Sequence, residues 1–145
     1  MARTSRPTTE DVGFLLAKAS AHFNELLLER FAQVGYPEIR GSFGSVLLPL
    51  FEQDARRVGE LAAAARLSKQ SMTGLVAACE QARLVERQRD RADGRAFVVR
   101  LTARGRRFQA VAEGVLDDLD RQLGEVLGPR NRDALVKALK GVIEL

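Results

Sequence analysis

Apolar residues recur at helical spacing along most of this chain. The first such run predicts a helix, and its apolar residues are Phe14, Leu15, Ala19, Phe23, Leu26, Leu27 and Phe31. Thr8 or Thr9 is expected to cap this helix, because a hydroxyl can accept from the free N–H groups of the first turn. Gly35-Tyr36-Pro37 is expected to end it.

The middle of the chain predicts short helices. One is expected from about residue 40 to 53, with a kink or early end at Pro49, because proline lacks the N–H and clashes with the preceding turn. Val58–Ala65 predicts the next helix. After a tight turn at Arg66-Leu67, Ser68 is expected to cap a further helix, so that the segment predicts a helix-turn-helix unit.

The spacing then changes to that of two short strands around a charged turn. Leu84–Arg89 predicts the first strand, Asp90–Arg95 the turn and Ala96–Leu101 the second strand. Asp93-Gly94 indicates a hairpin, because glycine tolerates the positive φ that tight turns require. Two helices followed by a basic β-hairpin are typical of a winged helix-turn-helix, whose second helix, the recognition helix, fits the major groove of DNA.

Two amphipathic helices are expected after the hairpin, from Thr102 to about Leu127 and from about Arg130 to Ile143, with Gly128-Pro129 between them. The apolar stripes of the terminal helices need a partner surface. A homodimer with interlocked chain ends satisfies this need, and a larger helical core within one chain is the alternative. The predicted fold class is mainly α with a small antiparallel β-hairpin.

The hairpin also contains a recognisable motif. Asp93-x-Arg95, followed after five residues by Leu101-Thr102 and after two more by Gly105, resembles the D-x-R-x5-L-T-x-x-G pattern of the MarR family of bacterial transcription regulators. Glu60-Leu61-Ala62 and residues 67–71 resemble the helix-turn-helix of that family. Family members commonly have glycine at the position of Arg83 and proline at that of Arg91.

The resemblance implies a homodimeric regulator that binds a pseudo-palindromic operator in double-stranded DNA, most often as a repressor. The expected organisation is a flexible tail (1–7), an N-terminal dimerisation helix (8–39), a winged helix-turn-helix domain (40–101) and C-terminal dimerisation helices (102–145). The alternative is a winged-helix protein-interaction module that does not bind DNA.

Composition narrows the function further. Residues 54–107 carry 13 Lys and Arg against 6 Asp and Glu, a net charge of +7, whereas the rest of the chain has a net charge of −3. Such a concentrated basic segment is typical of a nucleic-acid surface. One His and one Cys argue against a metal site or a disulfide framework. No nucleotide-binding, zinc-protease or serine-hydrolase motif is present, so neither an enzyme nor a cofactor is expected. We expect no membrane span and a cytoplasmic, nucleoid-associated location.

The recognition helix divides into two faces on a helical wheel. Met72, Leu75, Val76 and Cys79 share one side and are expected to pack inward, whereas small or amide side chains occupy the other. Small residues permit close approach to a groove, and glutamine can pair bidentately with adenine. The residues predicted to contact DNA are Ser68, Lys69, Gln70, Ser71, Thr73 and Gly74 on the helix, with Arg91 and Arg95 on the wing.

A small-molecule effector is a further expectation from the resemblance, because family members often bind aromatic acids between the dimerisation helices and the winged domain. Tyr36 and Arg40 lie near that junction, and His22 is the only histidine. We predict these three residues as a ligand site for a small phenolic or anionic effector. Cys79 is expected to be a packed core thiol, although a redox sensor is the alternative.

Overall fold

The computed structural model describes residues 6–145, so that of the predicted tail only Arg6 and Pro7 can be assessed, and both are exposed. The elements in chain order are α1 (Val12–Gln33), a short 3-10 turn (Gly41–Phe43), α2 (Gly44–Glu52), β1 (Arg56–Arg57), α3 (Val58–Ala65), α4 (Lys69–Gln81), β2 (Val85–Arg89), β3 (Phe97–Leu101), α5 (Ala103–Leu127) and α6 (Pro129–Ile143). The strands form one antiparallel sheet in the order β1-β3-β2. This architecture confirms the predicted winged-helix fold class.

The start of α1 differs from the prediction. Asp11, and neither Thr8 nor Thr9, occupies the N-cap position. The chain first makes a separate turn, in which the Thr8 N–H donates to Asp11 Oδ2 at 2.8 Å and the Glu10 N–H donates to Thr8 Oγ1 at 3.2 Å. The Thr8 hydroxyl therefore stabilises this turn, and the helix begins two or three residues later than expected.

The sheet contains a strand that periodicity did not predict. β1 is only two residues long, and Arg56 pairs with Val99 while Arg57 pairs with Val98. Asp54 holds this strand in place, because its Oδ1 accepts from the backbone N–H of Leu101 at 2.9 Å. Two residues are too few to show an alternating pattern, so such a strand becomes visible only through its tertiary partner.

An aromatic cluster joins the winged domain to the terminal helices. The ring centroid of Phe108, on α5, lies 4.9 Å from those of Phe31 and Tyr36 and 6.4 Å from that of Phe51. These residues come from α1, the loop after it and α2. The same core continues between the helix-turn-helix and the sheet, where its most completely buried members are Leu50, Leu61, Met72, Leu84, Val46, Val76, Val99 and Cys79.

The L-T-x-x-G motif forms the junction between the hairpin and α5. Thr102 caps α5: its hydroxyl donates to Arg83 O at 2.6 Å and accepts from the Gly105 N–H at 3.0 Å. The Thr102 N–H donates to Leu84 O at 3.0 Å. A Cβ atom at Gly105 would lie only 2.1 Å from that same carbonyl oxygen. Arg83 has a φ of +62°, which accounts for the glycine that resembling sequences commonly have there.

The chain ends leave apolar side chains exposed. α6 packs against α5, but none of its residues is buried. Its exposed apolar residues are Leu135, Val136, Leu139, Val142 and Ile143, and α1 exposes Val12, Phe14 and Leu15. Within residues 6–145, no helix combines the length and apolar character that crossing a membrane requires.

Candidate DNA-binding interface

The two predicted faces of the recognition helix are confirmed in α4. Met72, Val76 and Cys79 are buried and Leu75 is half-buried, so the inward face packs into the winged domain. The opposite face is open to solvent, and its exposed residues are Gln70, Ser71, Thr73, Gly74, Ala77 and Gln81. The exposed face thus contains no charged residue after Lys69 for three helical turns.

The N-terminus of α4 gathers most of the predicted DNA contacts. Ser68 caps the helix, since its Oγ accepts from the Ser71 N–H at 3.1 Å and donates to Ser71 Oγ at 2.9 Å. The Thr73 hydroxyl donates to Lys69 O at 2.8 Å. The side chains of Lys69 and Gln70 are exposed and make no hydrogen bond or ion pair within residues 6–145. They are therefore available to an external partner.

The turn of the wing is built differently from the prediction. Gly94 does not adopt a positive φ; within residues 6–145 only Gly35 and Gly128 do so among the glycines. Two aspartates shape the turn instead: Asp90 Oδ1 accepts from the Ala92 N–H and Asp93 Oδ1 from the Arg95 N–H, both at 3.0 Å. The aspartate side chains thus supply the turn chemistry that glycine was expected to provide.

The turn also leaves its arginines available. Asp93 accepts from the backbone N–H of Arg95 and makes no ion pair with its guanidinium in the described part of the chain. The side chains of Arg91 and Arg95 are both exposed, and neither has an ion-pair partner in the described part of the chain. The two arginines therefore remain free to reach a ligand.

A long-range ion pair fixes the base of this turn. Arg57 on β1 donates to Asp90 Oδ2 through Nη2 at 2.6 Å and Nε at 3.1 Å. The hydrogen bond from Arg57 lowers the pKa of the Asp90 carboxyl, and the same bond raises the pKa of Arg57. Because 33 residues separate the partners in sequence, spacing could not predict the pair.

A cleft of about 610 Å³ separates α4 from the sheet. Lys69 and Thr73 line it on the helix side, and Arg87, Arg95 and Phe97 line it on the wing side. Arg87 also binds α4 directly, with its Nε 2.8 Å from Glu80 Oε1. Of the predicted DNA contacts, Lys69 and Thr73 on the helix and Arg95 on the wing therefore face one shared opening.

The three predicted ligand residues do not form one site. Arg40 lines a small apolar cavity of about 70 Å³, together with Phe31 and Phe108. Tyr36 contacts the Phe108 ring from outside this cavity, and the Arg104 guanidinium lies 4.7 Å from its ring centroid. His22 is exposed on α1, where its Nδ1 is 3.9 Å from Glu25.

Cys79 is a packed thiol in this structure. Its side chain is fully buried, and this burial raises the pKa of the thiol to about 12. At neutral pH the reactive thiolate is therefore scarce. We expect native protein to react with a thiol reagent at least about 100-fold more slowly than urea-unfolded protein. Peroxide should leave DNA affinity unchanged, and rapid labelling accompanied by loss of binding would identify Cys79 as a sensor.

Comparison with known proteins gives a consistent result. A family model described as "MarR family" matches residues 51–96, which include both helices of the helix-turn-helix and the turn of the wing. No curated protein sequence matches the chain. The fold resembles that of the transcriptional repressor CouR bound to a 23-mer DNA duplex, with a TM-score of 0.80 and 28% identity over 96% of this chain and 99% of that one.

Two further structures share the fold. BpsR of Bordetella bronchiseptica superposes with a TM-score of 0.80 at 20% identity, over 97% of this chain and 99% of its own. A probable transcriptional regulator from Pseudomonas aeruginosa gives a TM-score of 0.79 at 20% identity, over 92% and 97%. The matched helix-turn-helix, the D-x-R and L-T-x-x-G motifs and the full-length likeness to CouR agree, and residues 51–96 of the chain match the MarR family.

Proposed function

We propose that this protein is a transcriptional regulator that binds a pseudo-palindromic operator as a homodimer. One observation carries the proposal: the open face of α4 presents amide and small side chains, with Lys69 at its start and the unpaired Arg95 of the wing across the cleft from it. CouR, which has the same fold, is described as a transcriptional repressor bound to DNA. Because its proposed target is chromosomal DNA, the protein would act in the cytoplasm.

Each exposed group has a role that its chemistry suits. Gln70 would read an adenine edge in the major groove, with Ser71, Thr73 and Gly74 beside it. Lys69 and the capped N-terminus of α4 at Ser68 would bind phosphate, because the free N–H groups and the helix dipole favour an anion there. Arg95 and Arg91 would enter the minor groove, where negative potential is strongest when the groove is narrow.

An effector is part of the proposal. CouR has been described with p-coumaroyl-CoA, and the DNA binding of BpsR is described as regulated by 6-hydroxynicotinic acid. In this chain the apolar cavity beside Phe108 has Arg40 on its lining, which suits a phenolic or anionic compound. Its volume of about 70 Å³ in a single chain is small, so such a ligand would have to enlarge it.

Two substitutions on neighbouring residues test the proposed contacts. An operator is first selected from random duplex DNA by repeated binding to the full chain. Gln70→Ala should weaken binding to this operator by about 1–3 kcal/mol and leave random DNA almost unaffected, because it removes a base contact. Lys69→Ala should weaken binding to both DNAs alike. It should also reduce the slope of log affinity against log salt concentration by about one unit, because one phosphate contact is lost. Affinities would be measured by fluorescence anisotropy between about 50 and 200 mM salt, a range in which binding that releases counterions weakens steeply.

A matched control lies on the same helix. Gln81 is also an exposed glutamine on the outward face, but it lies at the C-terminal end of α4, three turns from Gln70. Gln81→Ala should therefore leave operator affinity within about twofold of wild type. Equal losses on both DNAs for Gln70→Ala would make Gln70 a backbone contact. Failure of the wild type to enrich any DNA would favour the protein-interaction module.

A further inference from the structure

β3 places an aromatic ring outside the core. Leu101 and Val99 are buried, and Phe97 is the next residue on the same face of the strand, yet it is 49% exposed. The apolar stripe of the sheet therefore extends beyond the edge of the winged domain. Within residues 6–145 about half of the Phe97 surface is left uncovered, and this exposure forfeits part of the free energy of burying the ring.

The register shows what Phe97 faces. Phe97 pairs with Arg89 and Val99 pairs with Arg87, so these side chains share one face of the sheet. Arg87 on that face reaches Glu80 on α4, which means that the face is turned toward the recognition helix. Phe97 accordingly lines the cleft between α4 and the sheet. The Arg89 guanidinium lies 5.8 Å from the centroid of its ring.

The rim of this cleft is basic. Four of its residues are cationic and Glu60 is acidic; the cations are Arg57, Lys69, Arg87 and Arg95. Arg57 and Arg87 are paired with Asp90 and Glu80, whereas Lys69 and Arg95 have no ion-pair partner in the part of the chain described here. An occupant must therefore carry negative charge toward the rim and an apolar surface toward the ring.

We propose that Phe97 is a DNA-contact residue that packs against the deoxyribose edges of one strand crossing this cleft. The proposal rests on the regulator function proposed above. A sugar–phosphate backbone meets both requirements, because its phosphates are anionic and the C–H edges of its sugars are apolar. With α4 in the major groove and the wing in the adjacent minor groove, the strand between those grooves lies against the cleft.

The assigned contact has a distinctive thermodynamic profile. Covering half of a phenylalanine ring contributes free energy without releasing counterions, since no phosphate is neutralised. It also carries no sequence information, because every nucleotide has the same sugar. Phe97→Ala should therefore weaken binding about tenfold on the selected operator and on random DNA alike, with the salt slope unchanged. Phe97→Leu should recover most of the loss.

The control residue is the neighbour on the opposite face. Val98 lies on the same strand but points away from α4, so Val98→Ala perturbs the hairpin without touching the cleft. Its affinity should stay within about twofold of wild type. Unchanged affinity for Phe97→Ala, loss on the operator alone, or a salt slope reduced by about one unit would each overturn the assignment. Wild-type protein that binds no DNA would instead refute the proposed function.

Discussion

Replacing Gly105 by alanine is expected to lower the free energy of unfolding by about 3 kcal/mol, at the upper end of what overpacking costs. The new Cβ would meet Leu84 O at 2.1 Å and Leu84 C at 3.1 Å, and both are backbone atoms that no rotamer change can move. Leu84 O already accepts from the Thr102 N–H. Relief of the clash would thus separate α5 from the hairpin and break the cap at Thr102.

Urea denaturation at one fixed protein concentration measures this effect, since association makes apparent stability concentration-dependent. Gly114 is the matched control, because it lies in the same helix and its Cβ would meet nothing within 4 Å. Gly114→Ala should stabilise the protein by about 0.5–1 kcal/mol through helix propensity. Equal stability of Gly105→Ala and wild type would show that the junction can open without loss of fold.

Gly105 also illustrates how far the sequence could be read. The motif that contains it identified the family resemblance, and local periodicity predicted α3, α4, α5 and the hairpin within one or two residues. These elements have strong internal patterns and clear caps, such as Ser68 and Thr102. The reason for the glycine, a carbonyl oxygen 21 positions earlier in the chain, depends on packing and could not be predicted.

The unpredicted features share a physical cause. β1, the pair between Arg57 and Asp90 and the exposure of Phe97 all depend on which segments meet in three dimensions. Local patterns contain no such information. The misplaced start of α1 and the turn at Gly94 have a different cause, because several residues there could satisfy the same turn or cap, and the sequence does not rank them.

The candidate site was predicted in part. The helical wheel of α4 predicted its outward face correctly, because the burial of Met72, Val76 and Cys79 determines which side of the helix is exposed. No shared pattern connected the three predicted ligand residues in the sequence. Of the three, only Arg40 lines the apolar cavity in the structure. A ligand site between elements that are distant in sequence leaves no periodic trace, unlike a helix face.

Introducing a charge into the exposed apolar face of α6 is expected to abolish dimerisation. Leu139 is 38% exposed, and α6 has no buried residue, so Leu139→Asp should leave the fold of a single chain intact. In the proposed dimer the same side chain would lie in the interface, where an unpaired carboxylate is costly. Sedimentation equilibrium should then give the 16.0 kDa mass of one chain, and wild type about twice that mass.

Loss of the dimer should also weaken operator binding by about 100-fold or more, because the second half-site would no longer be bound at high effective concentration. Lys137 provides the control, since two residues along a helix place it about 200° away from Leu139 and it is exposed. Lys137→Asp introduces the same carboxylate on the far face of α6 and should remain dimeric. Dimeric Leu139→Asp with unchanged operator affinity would exclude this face from the interface and leave the exposed residues of α1 as its site.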